Sequence, residues 1–161
     1  MPKLKNFLNV FWKVAVVLAF AVLTGAEMSG RFAVNLSSSV RPNLFYLVKS
    51  PVNVRKGDYV IFRPKRIDPY IDGKMLVKKL TCDQGDTLTE RGKDYFCNGD
   101  VYLGRAKDYS LRGHRLRNFI FNGVIPRGFC FVSGSNVNSY DSRYWGFLRK
   151  SDIKARAYPI F

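Results

Sequence analysis

The chain has 161 residues, of which 47% are hydrophobic, and a formal net charge of +15 from 27 lysines and arginines against 12 acidic residues. This hydrophobic content excludes an intrinsically disordered chain, and the length suffices for one domain with its own core. The charge favours an anionic partner, either nucleic acid or anionic lipid headgroups. Because the basic residues are scattered rather than gathered in one motif, they indicate a solvated or lipid-facing surface rather than direct binding of nucleic acid.

The N-terminus combines a basic segment with an apolar one. Residues 1–13 contain three lysines and no acid, and residues 14–26 carry no charge before Glu27. Together with residues 7–12, the apolar stretch reaches the length of about 20 residues that a membrane-spanning helix needs. Lys13 is its only charge, and a lysine at this position can extend its amine towards the headgroups.

Three interpretations of this segment are open: a retained membrane anchor, a signal peptide cleaved near residues 24–26, and a buried core helix. We predict the anchor, with residues 1–30 forming a cytoplasmic basic end and one transmembrane helix. Because the lysines precede the apolar run, residues 31–161 are expected on the periplasmic side of a bacterial inner membrane, as a β-rich domain.

The remaining chain indicates strands rather than helices. Short apolar runs between turn residues predict strands at residues 44–48, 59–62, 75–81 and 129–132. Asn98 and Gly99 predict a tight hairpin between residues 95–97 and 100–103, since both tolerate positive φ angles. Residues 104–117 and 134–142 are polar and predict loops. We therefore expect a mainly β fold.

The three cysteines do not form a metal-binding motif. Cys82, Cys97 and Cys130 include no Cys-x-x-Cys pair, and the single histidine, His114, does not complete a zinc site with them. We predict no metal and no other cofactor. In an oxidising compartment the favoured disulfide joins Cys82 to Cys97, because it closes a short loop, but the other two pairings remain open.

One strand contains a lysine in an apolar setting. Side chains alternate between the two faces of a strand, so Lys78 shares its face with Leu76 and Leu80, whereas Lys79 lies on the other face. Burial lowers the pKa of a lysine and can make its amine a base at neutral pH. The alternative is a pair of surface lysines on an edge strand, where lysine discourages aggregation.

A serine that attacks carbonyls needs such a base. His114 lies in a polar stretch without an acidic residue close by in sequence, so Lys78 is the better candidate to deprotonate Ser39. Taken alone, residues 37–39 are better explained as a serine-rich linker that follows the membrane anchor.

Four segments of the chain together form a recognisable pattern. They read Ser-Val-Arg-Pro-Asn-Leu at 39–44, Lys-Gly-Asp-Tyr-Val-Ile-Phe at 56–62, Val-Lys-Lys with Gly-Asp within 77–86, and Gly-Ser-Asn with Ser-Tyr-Asp-Ser-Arg-Tyr-Trp-Gly within 134–146. In the same order they resemble the boxes Ser-Met-x-Pro-Thr-Leu, Gly-Asp-x-Val-x-Phe, Val-Lys-Arg with Pro-Gly-Asp, and Gly-Asp-Asn with Ser-x-Asp-Ser-Arg-Tyr-Trp-Gly of the type I signal peptidases. The last box is specific, because eight residues with one wildcard rarely match by chance.

The resemblance implies a serine endopeptidase with a Ser/Lys dyad. Ser39 would be the nucleophile and Lys78 the general base, with Ser139 orienting the lysine amine. Ser37 and the backbone N–H of Ser39 would form the oxyanion hole.

The resemblance also implies a fold and a set of partners. The fold would be a signal-peptidase-like coiled β-sheet catalytic domain after one N-terminal transmembrane helix. Asp141 and Arg143 would form an ion pair that supports the loop of the site. The expected partners are a precursor protein as substrate and membrane lipid.

Some features are closer to the conjugative-transfer peptidases of the TraF type, which process pilin precursors and in some cases cyclise them. The chain is short, leaves no room for the large second β domain of many signal peptidases, and has Asn35-x-Ser37-x-Ser39 before the proline. Signal peptides or pilin precursors are therefore the expected substrates, and a conjugative transfer apparatus is a further expected partner.

The alternative function is a non-enzymatic, basic, membrane-anchored module of a DNA-transfer or secretion apparatus. It accounts for the positive charge but leaves the box at residues 139–146 unexplained. A self-cleaving repressor would use similar chemistry, but it needs a DNA-binding helix pair where this chain has an apolar N-terminus.

Overall fold

The structure, a computed structural model, describes residues 12–18, 22, 25, 30–35, 37, 39–49, 53–65 and 67–160. From residue 30 onwards, the described residues form eleven strands, one short α-helix and one 3-10 turn, which follow one another along the chain. Their bounds are β1 (Phe32–Val34), β2 (Leu44–Lys49), β3 (Tyr59–Phe62), β4 (Leu76–Cys82), β5 (Thr87–Arg91), β6 (Asp94–Cys97), β7 (Val101–Arg105), β8 (Gly123–Val124), β9 (Phe129–Ser133), α1 (Ser142–Trp145), β10 (Leu148–Arg149), the 3-10 turn (Lys150–Asp152) and β11 (Ile153–Pro159).

The predicted strands agree with the observed ones. β2, β3, β4 and β9 each begin and end within one residue of the predicted bounds, and β6 and β7 form the predicted hairpin around Asn98 and Gly99. Asn98 has the positive φ that such a turn requires. The predicted loop of residues 134–142 leads into α1, a helix that the sequence pattern did not predict. The mainly β fold is thereby confirmed.

The larger sheet has seven antiparallel strands in the order β1-β2-β11-β3-β4-β9-β10. The strand nearest the C-terminus, β11, therefore lies between β2 and β3 rather than at an edge. The sequence analysis did not predict this strand. Its buried side chains are Ala155 and Ala157, which alternate with the more exposed Lys154 and Arg156, so its apolar signal is weak.

The smaller sheet has four strands in the order β7-β6-β5-β8. A disulfide joins Cys82, the last residue of β4, to Cys97, the last residue of β6, and so connects the two sheets. This is the pairing that the sequence analysis favoured, and it is confirmed. Cys130 is a buried free thiol, and burial raises its pKa to about 12.

Three clusters of buried side chains form the core. The cluster that matters most for the site packs Val40 and Phe45 against Ile61 and Ala157. Val40 is fully buried and follows Ser39 directly in the chain. Burial of a valine side chain contributes about 1.5–3 kcal/mol, so this contact anchors the segment that carries the predicted nucleophile.

The predicted membrane anchor in residues 1–30 lies mostly outside the described residues. Residues 12–18 are helical. In the part of the chain that the structure describes, no helix has both the length and the apolar character required to cross a membrane.

Candidate active site

Lys78 lies in the middle of β4, where it pairs with Val60 of β3. Its exposed fraction is 3%, whereas the next residue, Lys79, is exposed. The predicted alternation of this strand is therefore confirmed. Lys79 instead places its amine 5.9 Å from the centre of the Tyr59 ring.

The amine of Lys78 has one direct partner, since its Nζ donates a hydrogen bond of 2.7 Å to the Oγ of Ser139. Burial lowers the pKa of Lys78 from 10.5 to about 8, because desolvation disfavours the ammonium form. The negative charge of Asp141 opposes this shift, and the positive charge of Arg143 adds to it. A substantial fraction of this amine is consequently neutral near physiological pH.

The segment that carries Ser39 is packed against the loop that follows β9. The carbonyl oxygen of Ser39 accepts a hydrogen bond of 3.2 Å from the N–H of Asn136, and the N–H of Arg41 donates to the Oγ of Ser135 at 3.1 Å. Because this loop also contains Ser139, the segment that carries Ser39 is held close to the partner of Lys78.

The side chain of Asn35 connects both ends of the same segment. Its amide nitrogen donates to the carbonyl oxygens of Ser37 at 3.0 Å and Val40 at 2.9 Å. Its Oδ1 accepts from the N–H of Ser37 at 3.1 Å and from the hydroxyl of Ser37 at 2.8 Å. Asn35 therefore fixes the turn in which the half-buried Ser39 lies.

One groove contains three of the predicted site residues. Ser37, Ser39 and Lys78 line a space of about 620 Å³. Its other walls are mainly apolar and include Ala33, Val34, Phe45, Leu47, Ile61, Met75, Leu76 and Val77. An apolar groove with a hydroxyl and a buried amine is suited to hold an extended chain with small side chains over these polar groups.

Asp141 and Arg143 form an ion pair that is almost completely buried. Nε and Nη2 of Arg143 each donate to one carboxylate oxygen of Asp141 at 2.8 Å. Asp141 also accepts the N–H of Gly134 at 2.9 Å, and Nη2 of Arg143 donates to the carbonyl oxygen of Ser139 at 3.2 Å. The pair thus connects the end of β9 to the residue that contacts Lys78.

Comparison with known proteins gives the family. Residues 4–161 match the family described as "Signal peptidase, peptidase S26". This chain belongs to the peptidase S26 family. The predicted resemblance to signal peptidases is thereby confirmed.

Three relatives of this S26 family member are informative. It is 38% identical over 64 residues to Signal peptidase I of Aquifex aeolicus (strain VF5), which covers 39% of this chain and 25% of that one. It is 27% identical over 110 residues to Signal peptidase I V of Bacillus subtilis (strain 168), covering 62% of each chain. It is 25% identical over 162 residues to Conjugal transfer protein TraF of Agrobacterium fabrum (strain C58 / ATCC 33970), covering 89% of this chain and 92% of that one.

The chain therefore spans less than two thirds of these two signal peptidases and nearly the whole of the conjugal transfer protein. Among solved structures, a signal peptidase I from Enterococcus faecalis V583 matches with a TM-score of 0.43 and 23% identity, over 66% of this chain and 98% of that one.

Two residues that lie close to Arg143 in this S26 family member, Tyr95 and Gly104, were not predicted from the sequence. The hydroxyl of Tyr95 lies 2.9 Å from the carbonyl oxygen of Arg143. A Cβ on Gly104, whose φ is 110°, would lie 2.8 Å from Nη1 of Arg143. The available signals were weak: Tyr95 is one aromatic residue of a predicted hairpin, and Gly104 is the first residue of a predicted loop.

Gly134 allows a close approach at the centre of the site. A Cβ at this residue would lie 2.2 Å from the Oγ of Ser139 and 2.4 Å from the carbonyl oxygen of Ser39. Because the second contact is with backbone, Gly134→Ala must displace the segment that carries Ser39. We expect kcat/KM for a cleavable peptide to fall about 100-fold, the typical cost of a shift of about 1 Å.

A loop substitution of similar size provides the control. Val137 lies in the same loop and its exposed fraction is 57%, so Val137→Ala is expected to leave kcat/KM unchanged. Full activity of the Gly134→Ala protein would show that this contact does not position Ser39.

Proposed function

We propose that this protein is a membrane-anchored serine endopeptidase in which Ser39 is the nucleophile and Lys78 the general base. The observation that carries the proposal is the environment of Lys78. Its buried amine donates to the Oγ of Ser139 and lines the same groove as Ser39. Membership of the peptidase S26 family supports the same reaction class. The reaction needs a nucleophile, a base and oxyanion donors, which this chain supplies without a cofactor.

The proposed reaction is acyl transfer. Neutral Lys78 takes the hydroxyl proton of Ser39 as its Oγ bonds to the peptide carbonyl carbon, and the carbonyl electron pair moves to the oxygen. When the C–N bond breaks, the Lys78 ammonium returns the proton to the leaving amine. The acyl group on Ser39 is then transferred to water, which gives hydrolysis, or to an amine of the substrate itself, which gives a cyclic product.

The developing oxyanion needs two donors. The backbone N–H of Ser39 is one, and the hydroxyl of Ser37 is the other. In the structure this hydroxyl is directed to the Oδ1 of Asn35, so the proposed role requires it to rotate towards the substrate when the intermediate forms. Each such donor contributes about 3 kcal/mol to the stabilisation of the transition state.

The substrate class follows from the groove. β1 forms one edge of the larger sheet, and its residues Ala33 and Val34 line the groove beside Ser39. An extended segment of a precursor protein can add to such an edge by backbone hydrogen bonds. Small side chains, such as alanine, are expected next to the scissile bond, because the resemblance to signal peptidases implies shallow pockets there.

The relatives extend the proposal to a cellular role. Signal peptidase I proteins and a conjugal transfer protein are similar to this chain, and the latter over nearly its full length. We therefore assign a role in conjugative transfer, with pilin precursors or signal peptides as substrates. Residues 1–30 would anchor the chain in the inner membrane and keep the groove near substrates in the same membrane.

Mass spectrometry of a peptide series tests this function. The full chain in uncharged detergent is incubated with extended peptides that carry alanine, leucine or phenylalanine before one candidate bond. We expect cleavage after alanine and little cleavage after the larger residues, because the resemblance to signal peptidases implies shallow pockets next to the scissile bond. If the masses of the two fragments sum to 18 Da more than the mass of the intact peptide, the acyl group was transferred to water. A cyclic fragment would indicate that it was transferred to an amine of the substrate. If no peptide is cleaved, the peptidase assignment fails.

The pH dependence of cleavage gives a second test. The pKa of Lys78 is lowered to about 8, and only the neutral amine accepts the proton of Ser39. We expect kcat/KM to rise with pH through about 8 and then to level off, whereas at pH 6 roughly one amine in a hundred is neutral. A flat profile between about pH 5 and 9 would exclude Lys78 as the base.

A further inference from the structure

A second cavity of about 590 Å³ lies next to the groove. We call it the basic pocket. Its walls come from residues 68–74 before β4, from residues 107–117 after β7, and from residues 138–144 after β9. The last of these segments contributes only Asn138, Tyr140 and Tyr144, and no residue that lines the basic pocket has a role in the proposed acyl transfer.

The basic pocket and the groove share a wall. Tyr70, Lys74 and Tyr140 line both spaces. Tyr140 follows Ser139, the partner of Lys78, directly in the chain. Its ring packs edge-on against Tyr70, with 6.4 Å between ring centres. A peptide that lies in the groove can therefore continue into the basic pocket without leaving the protein surface.

The charge of the basic pocket is strongly unbalanced. Among the described residues that line it, the basic side chains are Lys74, Lys107, Arg112, Arg115 and Arg117, and the single acidic side chain is Asp68. None of the five forms an ion pair with a described residue. Arg112, Arg115 and Arg117 are exposed.

The carboxylates of Asp68 and Asp108 offset only part of this charge. Asp68 accepts the hydroxyl of Tyr140 and the N–H of Tyr70, each at 2.8 Å. Asp108 lies in the loop after β7 that also carries the three arginines, but its carboxylate pairs with Lys93 at 2.7 Å. In this loop, the carboxylate of Asp108 is directed to Lys93, whereas the three arginines line the basic pocket. Their positive charge attracts a negatively charged ligand.

We propose that the basic pocket binds an acidic segment of the peptide substrate, a few residues away from the scissile bond. This inference rests on the proposed peptidase function and names a specificity determinant for it. Arginine binds carboxylates through paired N–H donors, and the tyrosine rings supply flat apolar surface for the stems of glutamate side chains. The shared wall favours a peptide over a lipid headgroup, since it makes the basic pocket a continuation of the groove.

The test compares peptides that differ only in charge. An extended alanine-containing peptide carries a block of four glutamates or four glutamines, on either the amino or the carboxyl side of the cleavable bond. KM and kcat are measured for the full chain in uncharged detergent, at low and at high salt. We expect one glutamate peptide to have a KM about tenfold below that of its glutamine counterpart, with kcat similar and the difference smaller at high salt.

A charge-reversed variant locates the effect. Arg112→Glu/Arg115→Glu should remove the preference for glutamate and leave the kinetics of the glutamine peptide unchanged. Arg127→Glu/Arg149→Glu makes the same change in net charge at exposed arginines that line neither space, and it should retain the preference. Equal cleavage of glutamate and glutamine peptides by the unmodified chain, or equal loss of preference in both variants, would overturn the inference.

Two further outcomes separate this inference from its alternatives. The variant Arg112→Glu/Arg115→Glu is also tested for binding to phosphatidylglycerol vesicles. If it lost this binding but kept the KM and kcat of the unmodified chain for both peptides, the basic pocket would be a headgroup site and the inference would fail. The peptidase function is judged first, on the glutamine peptide alone: if a Ser39→Ala protein cleaves it as well as the unmodified chain, both proposals fail.

Discussion

Ser39→Ala and Lys78→Met are each expected to lower kcat/KM by at least about 10⁴-fold, and the double variant is expected to be no worse than either single one. Groups that act as one catalytic unit show this strong non-additivity. In the proposed mechanism, Ser39→Ala removes the acyl acceptor, and Lys78→Met leaves the hydroxyl of Ser39 with its proton. The measurement is the steady-state cleavage of an alanine-containing peptide by the three purified proteins.

Methionine suits this test because it matches lysine in length and places no charge in an apolar site. Lys78 is nearly fully buried, so Lys78→Met does not leave an unpaired charge, and the protein should still fold. The adjacent Lys79 is exposed, and Lys79→Met is expected to retain full activity. Retention of more than about a tenth of the activity by Lys78→Met would rule out a base at this residue.

Arg143→Met is expected to destabilise the fold by about 3–5 kcal/mol, because it leaves a buried carboxylate without its partner. Asp141 is fully buried and accepts two hydrogen bonds from the guanidinium of Arg143. The measurement is the free energy of unfolding from urea titration. Because the pair also contacts Gly134 and Ser139, we expect activity to fall as well.

An exposed pair on the same protein provides the comparison. Lys56 and Asp86 form an ion pair of 3.0 Å, and the side chain of Lys56 is 44% exposed. Lys56→Met should cost less than about 1 kcal/mol, since water and salt screen such pairs. If the two substitutions changed the free energy of unfolding equally, the buried pair would not have the structural role described here.

Local patterns predicted those features that depend on neighbouring residues. The alternation of β4 identified Lys78 as the buried lysine, and four strands were predicted because short apolar runs bounded by turn residues are typical of buried strands. The disulfide between Cys82 and Cys97 followed from the short loop that it closes, with 15 residues of sequence separation. The family resemblance supplied Ser37, Ser139 and the ion pair, which no local pattern distinguishes from ordinary loop residues.

Contacts between distant segments could not be predicted in this way. The hydrogen bond from Arg41 to Ser135 spans 94 residues, and the close approach of Gly134 to Ser39 depends on the same packing. β11 was missed because its buried side chains are the alanines Ala155 and Ala157. Their small apolar surface gives little periodic signal between lysine and arginine. The basic pocket likewise depends on the folding of three segments around one space.

The position of β11 also has a consequence for biosynthesis. This strand pairs with β2 on one side and with β3 on the other, so it holds the strand that follows Ser39 beside the hairpin that carries Lys78. Ribosomes deliver residues 153–159 after β1–β10, and non-local pairings of this kind form only once both partners are available. We therefore expect the proposed catalytic residues Ser39 and Lys78 to be held together in a nascent chain only after β11 has emerged and inserted between β2 and β3.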